Sequence, residues 1–422
     1  MLSRIYGIGL KGIEGFMVSC EVDVGAGLPQ ATLIGYANSA VKESHDRIKT
    51  AIKNSGFELM PRKMVINLSP ADIRKEGCAY DLPIAIAMLE AYKIIKSELL
   101  NNSAFIGELS LGGNLLPVRG VLALVMAAKE AGIKHIFLPK ENAKEAGVVE
   151  GIDCYGVGSL KETCDLIKRS LRGQEPVRYE YNEFDEYDEK LDFSDINGQE
   201  LSKRATIIAV SGRHNILYIG PAGTGKSMLA ARIPSIMPGM SMGERVEISK
   251  LHSICGQLPP DEALVRVRPY RHPHHTISPQ ALVGGGKYPK PGEISLASGG
   301  VLFLDELAEF KKDALEVLRQ PLEEGVVSIS RVQASYTFPA SFLLCAATNP
   351  CKCGFYPDRS RCSCDERIVK NYLSKISKPL LDRIDIYVET NLISYEEIKQ
   401  SSKNKTGKEI RKKVEEVRQI QL

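Results

Sequence analysis

Residues 215–233 read NILYIGPAGTGKSMLAARI, and this stretch gives the strongest indication of the fold class. Its first part, NILYIG, is a short apolar run rich in β-branched and aromatic residues, as in a buried strand. A glycine-rich turn follows, and SMLAARI then has the composition of a helix. Near-continuous apolar strands that alternate with helices are typical of a parallel sheet covered on both faces. The stretch therefore predicts an α/β domain.

The turn, GPAGTGKS, matches the pattern G-x-x-x-x-G-K-[ST] at every fixed position. Its glycines let backbone N–H groups point at phosphate oxygens, and the following helix directs its N-terminal dipole at the same anion. Lys226 is expected to reach the β- and γ-phosphates, and the Ser227 hydroxyl to bind Mg²⁺. A chance glycine-rich turn is the alternative, but the flanking strand and helix disfavour it. The predicted cofactors are ATP and Mg²⁺, bound by Gly220, Pro221, Ala222, Gly223, Thr224, Gly225, Lys226 and Ser227.

A second element is needed to hold the metal, and VLFLDE (301–306) supplies it. Four apolar residues predict a strand, and Asp305 and Glu306 follow at its carboxyl end. Asp305 is expected to coordinate Mg²⁺ through water, and Glu306 to polarise the attacking water. Acidic residues often cap the helix after a strand, so the pair alone is a weak signal. Its place between the phosphate loop and another apolar strand favours the catalytic interpretation.

Two further residues are catalytic candidates. FLLCAATNP (342–350) predicts a third apolar strand, and Asn349 at its end is expected to orient the water or contact the γ-phosphate. A turn-forming Asn-Pro is the alternative. Arg383 lies between Asp382 and Asp385, and its spacing alone favours a surface ion pair with one of them. A guanidinium delivered to the γ-phosphate, often from a neighbouring subunit, would instead stabilise transition-state charge.

The pattern of strand-like, helical and polar segments changes along the chain. The N-terminal part alternates strand-like runs, at 64–70 and 135–139, with helical runs such as 121–132. An acidic, tyrosine-rich, aperiodic segment follows and is interpreted as a linker, with a solvated loop as the alternative. The predicted parts are a first domain over 1–171, the linker over 172–192, the α/β domain over 193–392, and over 393–422 the truncated start of a C-terminal helical lid.

Composition narrows the class of protein. The chain has 422 residues and a formal net charge of +3, which is too small to argue for nucleic acid by itself. No apolar run approaches the roughly 18 residues of a membrane span, and the N-terminus lacks the apolar core of a secretory signal. We therefore expect a cytoplasmic protein without a membrane partner, in which clustered cysteines suggest a metal before disulfides.

The cysteine cluster lies in NPCKCGFYPDRSRCSC, directly after the third strand. Cys351 and Cys353 form one C-x-C pair, and Cys362 and Cys364 form another. Four thiolates suit tetrahedral Zn²⁺, and the glycine and proline between the pairs allow the chain to fold back. C-x-C is less usual for zinc than C-x₂-C, so reduced cysteines without a metal are the alternative.

Together these stretches resemble the ComM/YifB family of Mg-chelatase-like AAA+ ATPases. The resemblance implies a ribosomal-S5/Lon-like N-terminal domain followed by a P-loop AAA+ domain with a parallel sheet. His272, His274 and His275 fall within one matching motif and are interpreted as structural or coupling residues. The matching segments are GLPQATLIGYANSAVKESHDRIKTAI (27–52), KEGCAYDLPIAIAML (75–89), DINGQELSKRA (195–205), the phosphate loop, HPHHTIS (272–278), ALVGGGKYPKPGEISLASGGVLFLDELAEF (281–310) and LLDRIDI (380–386).

The resemblance implies a hexameric, ATP-driven DNA helicase or translocase that promotes branch migration in recombination or natural transformation. Helicases of this clade grip DNA with loops that project into the pore of the ring. Arg383 falls where the clade places an arginine finger, which reverses the preference for an ion pair. Solvated loop charge is the alternative for the basic residues. The implied DNA contacts are Lys287, Lys290 and Arg331, with Tyr288 and Tyr336 available for base stacking.

The segment over 117–142 resembles the stretch of Lon protease that carries the lysine of its Ser-Lys dyad. In this sequence the position of that lysine falls on Leu122. An aliphatic side chain cannot act as a general base, so we expect no peptidase activity. The resemblance leaves this domain a role in ring assembly or DNA contact.

Two other functions stay open at this point. A motor of this kind can remodel a protein partner, as the Mg-chelatase motor does. Alternatively, the chain holds ATP without productive turnover, because the family's sensor arginine in the lid is not found in the sequence. DNA-stimulated turnover would favour the helicase over both.

Overall fold

The computed structural model describes residues 2–35, 39–75, 77, 79–179, 191–259, 262–286, 289–331, 335–392 and 404–421. Lys287, Tyr288 and most of the predicted linker lie outside these residues. None of the helices in the described parts has the length and apolar character that a membrane crossing requires.

The chain forms two compact units, which are described separately. The first unit comprises Met1–Asn182 and Ser249–Val265, and the second comprises Glu183–Ile248 and Arg266–Leu422. Ser249–Val265 therefore belongs with the N-terminal unit, although the sequence prediction places it inside the α/β domain.

The first unit is built on one large mixed sheet. Its strands are β1 (Leu2–Lys11), β2 (Glu14–Gly25), β3 (Ala31–Ile34), β4 (Lys63–Ser69), β5 (Ser103–Phe105), β8 (His135–Pro139) and β9 (Asp153–Val157), with a separate hairpin of β6 (Glu108–Leu109) and β7 (Leu115–Leu116). The order across the sheet is β3-β4-β2-β1-β5-β8-β9. β2 runs antiparallel to β1 and β4, and the remaining neighbours are parallel.

Helices cover the sheet of the first unit. They are α1 (Ser39–Asn54), α2 (Asp81–Ala91), α3 (Val121–Glu130), α4 (Ala143–Ala146) and α5 (Leu160–Lys168). α2 is mostly apolar and buried along nearly its whole length, as is typical of a core helix. α5 instead buries one stripe, and the Ser159 side chain caps it by accepting a hydrogen bond from the Glu162 backbone N–H.

The second unit contains a five-stranded parallel sheet. Its strands are β10 (Ile216–Ile219), β11 (Tyr270–Arg271), β14 (Val301–Leu304), β17 (Leu343–Thr348) and β18 (Ile386–Glu389). Their order is β11-β14-β17-β10-β18, and every neighbouring pair is parallel. All residues of β14 and β17 are buried, which explains why both read as continuous apolar runs.

Two small hairpins and a set of mostly short helices complete the second unit. The hairpins pair β12 (Gly284–Gly285) with β13 (Lys290–Pro291) and β15 (Val326–Ser330) with β16 (Ser335–Pro339). The helices are α6 (Glu200–Gly212), α7 (Lys226–Ala231), α8 (Ile233–Ile236), α9 (Met242–Cys255), α10 (Pro279–Val283), α11 (Glu293–Leu296), α12 (Lys312–Glu316), α13 (Arg319–Glu324), α14 (Glu366–Leu373), α15 (Lys378–Leu381) and α16 (Gly407–Gln421). Residues of α9 from Ser249 onward count with the first unit.

The structure confirms the elements predicted from periodicity. The predicted strands at 64–70, 135–139, 215–220, 301–306 and 342–350 correspond to β4, β8, β10, β14 and β17, and the predicted helix at 121–132 corresponds to α3.

The C-terminal helical pattern, interpreted as the start of a lid, forms α16. Ile410 and Val414 of this helix are buried in the core of the second unit, among residues of α6, α8 and the parallel sheet. Arg411 donates a hydrogen bond to the Ser235 carbonyl, and the Gly239 backbone N–H donates to Glu415. In the described residues this helix is thus part of the core of the α/β unit.

Candidate nucleotide-binding site

The site lies where the parallel strands of the second unit end. β10 is followed by Gly220, β14 by Asp305, β17 by Asn349 and β18 by Thr390. Since β17 and β18 are the two neighbours of β10, their carboxyl ends flank the phosphate loop on both sides. Open parallel sheets bind ligands at this edge, so the topology brings the predicted residues together.

Gly220 is required by a close approach between two strand ends. Its backbone N–H donates to the Thr348 carbonyl at 3.2 Å. A methyl group on Gly220 would lie 2.1 Å from the Thr390 hydroxyl and 2.3 Å from the Thr390 carbonyl oxygen. The Thr224 and Thr390 hydroxyls are also 2.8 Å apart. Thr390 therefore contacts the phosphate loop at Gly220 and at Thr224 and holds it next to β18. No sequence pattern predicts this role for Thr390.

Lys226 is buried within the loop that it belongs to. Its ammonium group donates to the Gly220 and Pro221 carbonyls, each at 2.7 Å, and to Asn349 Oδ1 at 3.3 Å. Burial lowers the pKa of Lys226, and the nearby carboxylates of Asp305 and Glu306 oppose that shift. The loop thus aims a buried cation at the space where phosphate oxygens are expected.

Ser227 and Asp305 form the pair that the metal prediction requires. The Ser227 hydroxyl donates to Asp305 Oδ2 at 2.7 Å across 78 residues of sequence. Asp305 Oδ1 also accepts from the Glu306 backbone N–H at 2.9 Å, which fixes the carboxylate at the end of β14. A hydroxyl and a carboxylate side by side are hard oxygen donors, so this set fits Mg²⁺.

Glu306 has an unusual backbone conformation and a partner that the sequence did not indicate. Its φ and ψ are 52° and 47°, in the left-handed region that non-glycine residues rarely adopt. Its Oε2 lies 3.1 Å from Nδ1 of His275, and the Glu306 side chain is about half exposed (51%). The strain at a solvent-facing carboxylate next to the metal pair is typical of a functional residue.

The other two histidines of the PHH motif have different surroundings. His272 packs against Phe303 of β14, with ring centroids 4.8 Å apart. His274 stacks on His275 at 4.1 Å, and its Nδ1 lies 2.9 Å from the Thr276 hydroxyl. The three imidazoles therefore contact the core, a hydroxyl and Glu306, and His275 alone touches a predicted catalytic residue.

Arg383 lies far from the phosphate loop of its own chain. It precedes β18, at the sheet edge opposite Gly220, and its backbone carbonyl accepts from the Asn215 side chain at 2.8 Å. The guanidinium pairs with Glu323, whereas Asp385 accepts from the Asn215 backbone N–H. The ion pair with Asp382 or Asp385 that spacing favoured is not among those that the described residues form.

The two hairpins that carry basic DNA candidates lie next to each other. Lys290 is exposed in β13 and pairs with Gly285 of β12. The Arg331 guanidinium, exposed after β15, comes within 3.8 Å of the point where Gly285 would carry a side chain. Tyr336 of β16 is half-buried opposite Ile329. The fold thus brings Lys290 and Arg331 to one surface, and Lys287 and Tyr288 lie outside the described residues.

The four predicted zinc ligands converge. The Sγ atoms of Cys351, Cys353, Cys362 and Cys364 all lie within 4.8 Å of one another. They lie in the loop that follows β17 and runs from Asn349 to Cys364. Within the described residues, this is the one cluster of three or more His, Cys, Asp or Glu side chains arranged to hold a metal ion.

Leu122, at the position of the Lon lysine, is fully buried in α3 of the first unit. Its backbone N–H donates to Glu145 Oε1 at 2.9 Å. The Ser253 hydroxyl bonds to the same carboxylate, and it accepts from the Gly120 backbone N–H at 2.9 Å. Burial raises the pKa of Glu145, although the hydrogen bonds from Ser253 and Leu122 oppose that shift. This polar network occupies the start of α3.

Family models match both parts of the chain. The model described as "Magnesium chelatase, subunit ChlI" covers residues 192–398, and the one described as "Subunit ChlI of Mg-chelatase" covers residues 20–142. A Lon protease of Amoebophilus asiaticus is 30% identical over 146 residues, which cover 33% of this chain and 17% of that protease.

Two relatives align over nearly the whole chain. Competence protein ComM of Haemophilus influenzae is 39% identical over 428 residues, covering 100% of this chain and 83% of that protein. The uncharacterized protein YifB of Escherichia coli is 40% identical over 396 residues, covering 93% of this chain and 76% of that protein. The identity and coverage, together with the phosphate loop and the Ser227–Asp305 pair, show that the chain belongs to the ComM/YifB family of Mg-chelatase-like AAA+ proteins.

Proposed function

We propose that this protein is an ATP-hydrolysing motor that acts on DNA. The observation that carries the proposal is the contact between Ser227 and Asp305 beside the buried Lys226 ammonium. Three groups that recognise a nucleoside triphosphate with its metal are thereby assembled at one sheet edge, although they come from two strand ends distant in sequence. The family membership supports the same class of activity.

Each residue of the site has a proposed role. Ser227 and Asp305 would hold Mg²⁺, which would neutralise negative charge on the phosphates. Lys226 binds the β- and γ-phosphates as a point charge, with the backbone of residues 220–225 around it. Glu306 orients and polarises the attacking water. Asn349 fixes the Lys226 ammonium through its 3.3 Å hydrogen bond and faces the γ-phosphate.

We propose further that the motor is a helicase or translocase that promotes branch migration, with single-stranded or branched DNA as its partner. The adjacent, exposed Lys290 and Arg331 supply the charge that a phosphate backbone requires. The relative from Haemophilus influenzae is named a competence protein, which supports a role in recombination or natural transformation. ATP and reduced thiols are typical of the cytoplasm, where we place the reaction.

The proposed working form is a homo-hexameric ring. Arg383 lies at the sheet edge opposite its own phosphate loop, so it can reach a γ-phosphate only in another copy of the chain. An arginine supplied from outside a nucleotide site is a recurring way to stabilise the transition state of phosphoryl transfer. This placement supports the expectation of an arginine finger that acts between subunits.

A protein-remodelling motor is the second candidate. Both family models describe a magnesium chelatase subunit, and this supports a motor that acts on a protein partner. We propose no peptidase activity for either candidate, because the buried aliphatic Leu122 offers no general base where Lon has its lysine. The network of Glu145 and Ser253 is interpreted as structural.

The experiment is a steady-state ATPase assay of the protein, with and without four-way-junction DNA. Glu306→Gln is expected to lower kcat by about 100-fold or more, because the amide cannot accept a proton from water. Junction DNA is expected to raise the kcat of the wild type. Lys290→Ala with Arg331→Ala should abolish that stimulation and leave basal turnover intact, whereas Lys412→Ala, an exposed residue of α16, should change neither rate.

The outcomes separate the candidates. If DNA does not change the ATPase rate but Glu306→Gln abolishes it, the proposed ATPase is supported and the proposed DNA motor is refuted. A motor that acts on a protein partner then becomes the better proposal. ATP binding without turnover in the wild type refutes the motor altogether.

A further inference from the structure

The loop over 349–364 is organised around its four cysteines. The Sγ–Sγ distances are 3.3 Å for Cys351–Cys353, 3.8 Å for Cys351–Cys362, 3.4 Å for Cys353–Cys362 and 3.6 Å for Cys353–Cys364. A disulfide needs about 2.05 Å, so no two of these sulfurs are bonded to each other. Four ligands at the zinc–sulfur distance of about 2.3 Å would form a tetrahedron with edges of about 3.8 Å. The observed spacing fits four thiolates around one ion better than two disulfides.

The backbone of this loop turns the two C-x-C pairs toward each other. The Gly354 N–H donates to the Cys351 carbonyl at 3.0 Å, and the Cys362 N–H donates to the Asp358 carbonyl at 2.8 Å. Arg359 donates to the Cys364 carbonyl at 2.7 Å and thereby holds the second pair. Cys351 is fully buried, Cys362 and Cys364 are nearly so, and only Cys353 is exposed. The fold of the loop therefore brings the sulfurs together with its own hydrogen bonds.

The loop also touches the nucleotide site. Asn349, which accepts from Lys226, lies two residues before Cys351. On the far side of Cys351, a methyl group on Gly354 would lie 3.9 Å from the Ala222 backbone nitrogen and 4.0 Å from Asn349 Cγ. The cysteine loop thus packs against both the phosphate loop and the side chain that contacts the buried lysine.

We propose that Cys351, Cys353, Cys362 and Cys364 bind one Zn²⁺ ion, and that this ion fixes Asn349 and the phosphate loop in the geometry that binds ATP. Four protein ligands leave no open position, so the ion is structural and takes no part in hydrolysis. Asn349 and Gly354 lie within two residues of a cysteine ligand, so loss of the ion releases the turn that contains Gly354. The second half of the proposal rests on the proposed ATP-binding function.

The metal is tested directly on the wild-type protein, without any assay of turnover. Zinc is measured by elemental analysis and by the absorbance of its complex with the dye pyridylazo-resorcinol, after a mercurial reagent binds the cysteine sulfurs and displaces the metal. Replacement by Co²⁺ should give the intense thiolate charge-transfer bands of a four-sulfur site. Cys353→Ser should lose the metal, because its exposed thiol is one of four ligands, whereas Cys255→Ser outside the cluster should keep it. Wild-type protein that binds neither ion after exposure to it overturns the proposal.

The link to the nucleotide site is tested by binding of a fluorescent ATP analogue. Removal of zinc from the wild type should weaken binding by about tenfold, the loss expected for one misplaced charged hydrogen bond, and added zinc should restore it. Asn349→Ala should weaken binding by a similar factor, and it should have little further effect in Cys353→Ser protein. Circular dichroism of each variant controls for unfolding.

The outcomes distinguish this link from the proposed ATPase. If zinc is bound but its removal leaves ATP affinity unchanged, the link is overturned and the metal site stands. Absence of ATP hydrolysis refutes the proposed motor, and it affects neither the zinc measurement nor the binding measurement.

Discussion

At the scale of single residues, the site depends on short contacts between side chains that are distant in sequence. Ser227 contacts Asp305, Lys226 contacts Asn349, and His275 contacts Glu306. Each of the first two pairs joins residues that the sequence predicts separately, whereas the third involves His275, which the sequence pattern suggests only as a structural or coupling residue. Glu306 has a strained, left-handed backbone, and the contact with His275 fixes the position of its carboxylate.

Removal of the imidazole at His275 should lower the rate of ATP hydrolysis. His275→Ala frees the Glu306 carboxylate, and a misplaced catalytic group costs roughly ten- to a hundredfold in kcat. The affinity for ATP should change little, because His275 does not contact the phosphate loop in the described contacts. His274→Ala is the matched control, since it removes a neighbouring ring that bonds to Thr276 and leaves the 3.1 Å contact with Glu306 in place. Equal loss in both variants would count against a positioning role for His275.

The buried Glu145 of the first unit should make stability fall as pH rises. Burial raises its pKa in the folded state, so the folded protein binds more protons than the unfolded chain once pH exceeds the ordinary glutamate pKa of 4.5. Stability therefore decreases from that pH up to the folded-state pKa, and it stays lower above it. Glu145→Gln retains an oxygen that accepts from Leu122 and should remove this decrease.

The measurement for Glu145 is urea unfolding at several pH values from 4 to 8. A Glu145→Gln protein that loses stability with pH as steeply as the wild type contradicts the assignment. Glu145→Ala, which leaves the Leu122 N–H and Ser253 without their acceptor, should be less stable than both at every pH.

At the scale of elements, burial distinguishes the residues that build the core of the second unit from those at the candidate site. β10, β14 and β17 are short and largely buried, so their side chains build the core, and the candidate site residues follow directly after them. The sequence of α16 suggests an exposed helix, but one side of the helix packs in the core. Its sequence is strongly charged, yet the spacing of Gly407, Ile410 and Val414 places three small or apolar residues on one buried stripe.

Shortening a buried side chain of α16 should destabilise the second unit. Val414 is fully buried, and Val414→Ala removes two methyl groups from the core, for an expected loss of about 2 kcal/mol in the free energy of unfolding. Val417→Ala on the same helix removes the same atoms from a side chain that is 40% exposed, and it should cost much less. Urea unfolding followed by circular dichroism measures both. Equal effects would mean that α16 does not pack on the core in solution.

At the scale of the whole molecule, Arg383 lies at the sheet edge opposite the phosphate loop of its own chain. If Arg383 completes the site of a neighbour, Arg383→Ala should lower kcat by roughly 1,000-fold and leave ATP binding intact. A structural ion pair with Glu323 is the competing role, so Glu323→Gln is the control. It should retain most of the activity if the guanidinium acts at a nucleotide.

Mixing two inactive variants tests the same idea without ambiguity about folding. Arg383→Ala subunits keep Lys226, and Lys226→Ala subunits keep Arg383. In mixed assemblies some interfaces join an intact phosphate loop with an intact arginine, so part of the ATPase activity should return. Mixtures that stay inactive, although native mass spectrometry shows that the subunits mix, would place the role of Arg383 within its own chain.

The α/β class and the central residues of the candidate nucleotide site could both be predicted from sequence patterns. Strand periodicity, the phosphate-loop pattern and the acidic pair after β14 are local signals, because each depends on residues that are neighbours along the chain. The strands they predicted are present, and the carboxyl ends of parallel strands must share one edge of the sheet. For that reason Lys226, Asp305 and Asn349 are predictable as one group from the sequence.

The contacts that join distant segments, in contrast, become visible only in the folded chain. Thr390 against Gly220 and His275 against Glu306 are pairings across the sheet, and no local pattern specifies which loop side chains meet there. The same holds for the position of Arg383 at the opposite edge and for Gly354 against Ala222. These contacts follow from strand order and from the packing of loops on one another, which depend on long-range burial that a sequence pattern does not encode.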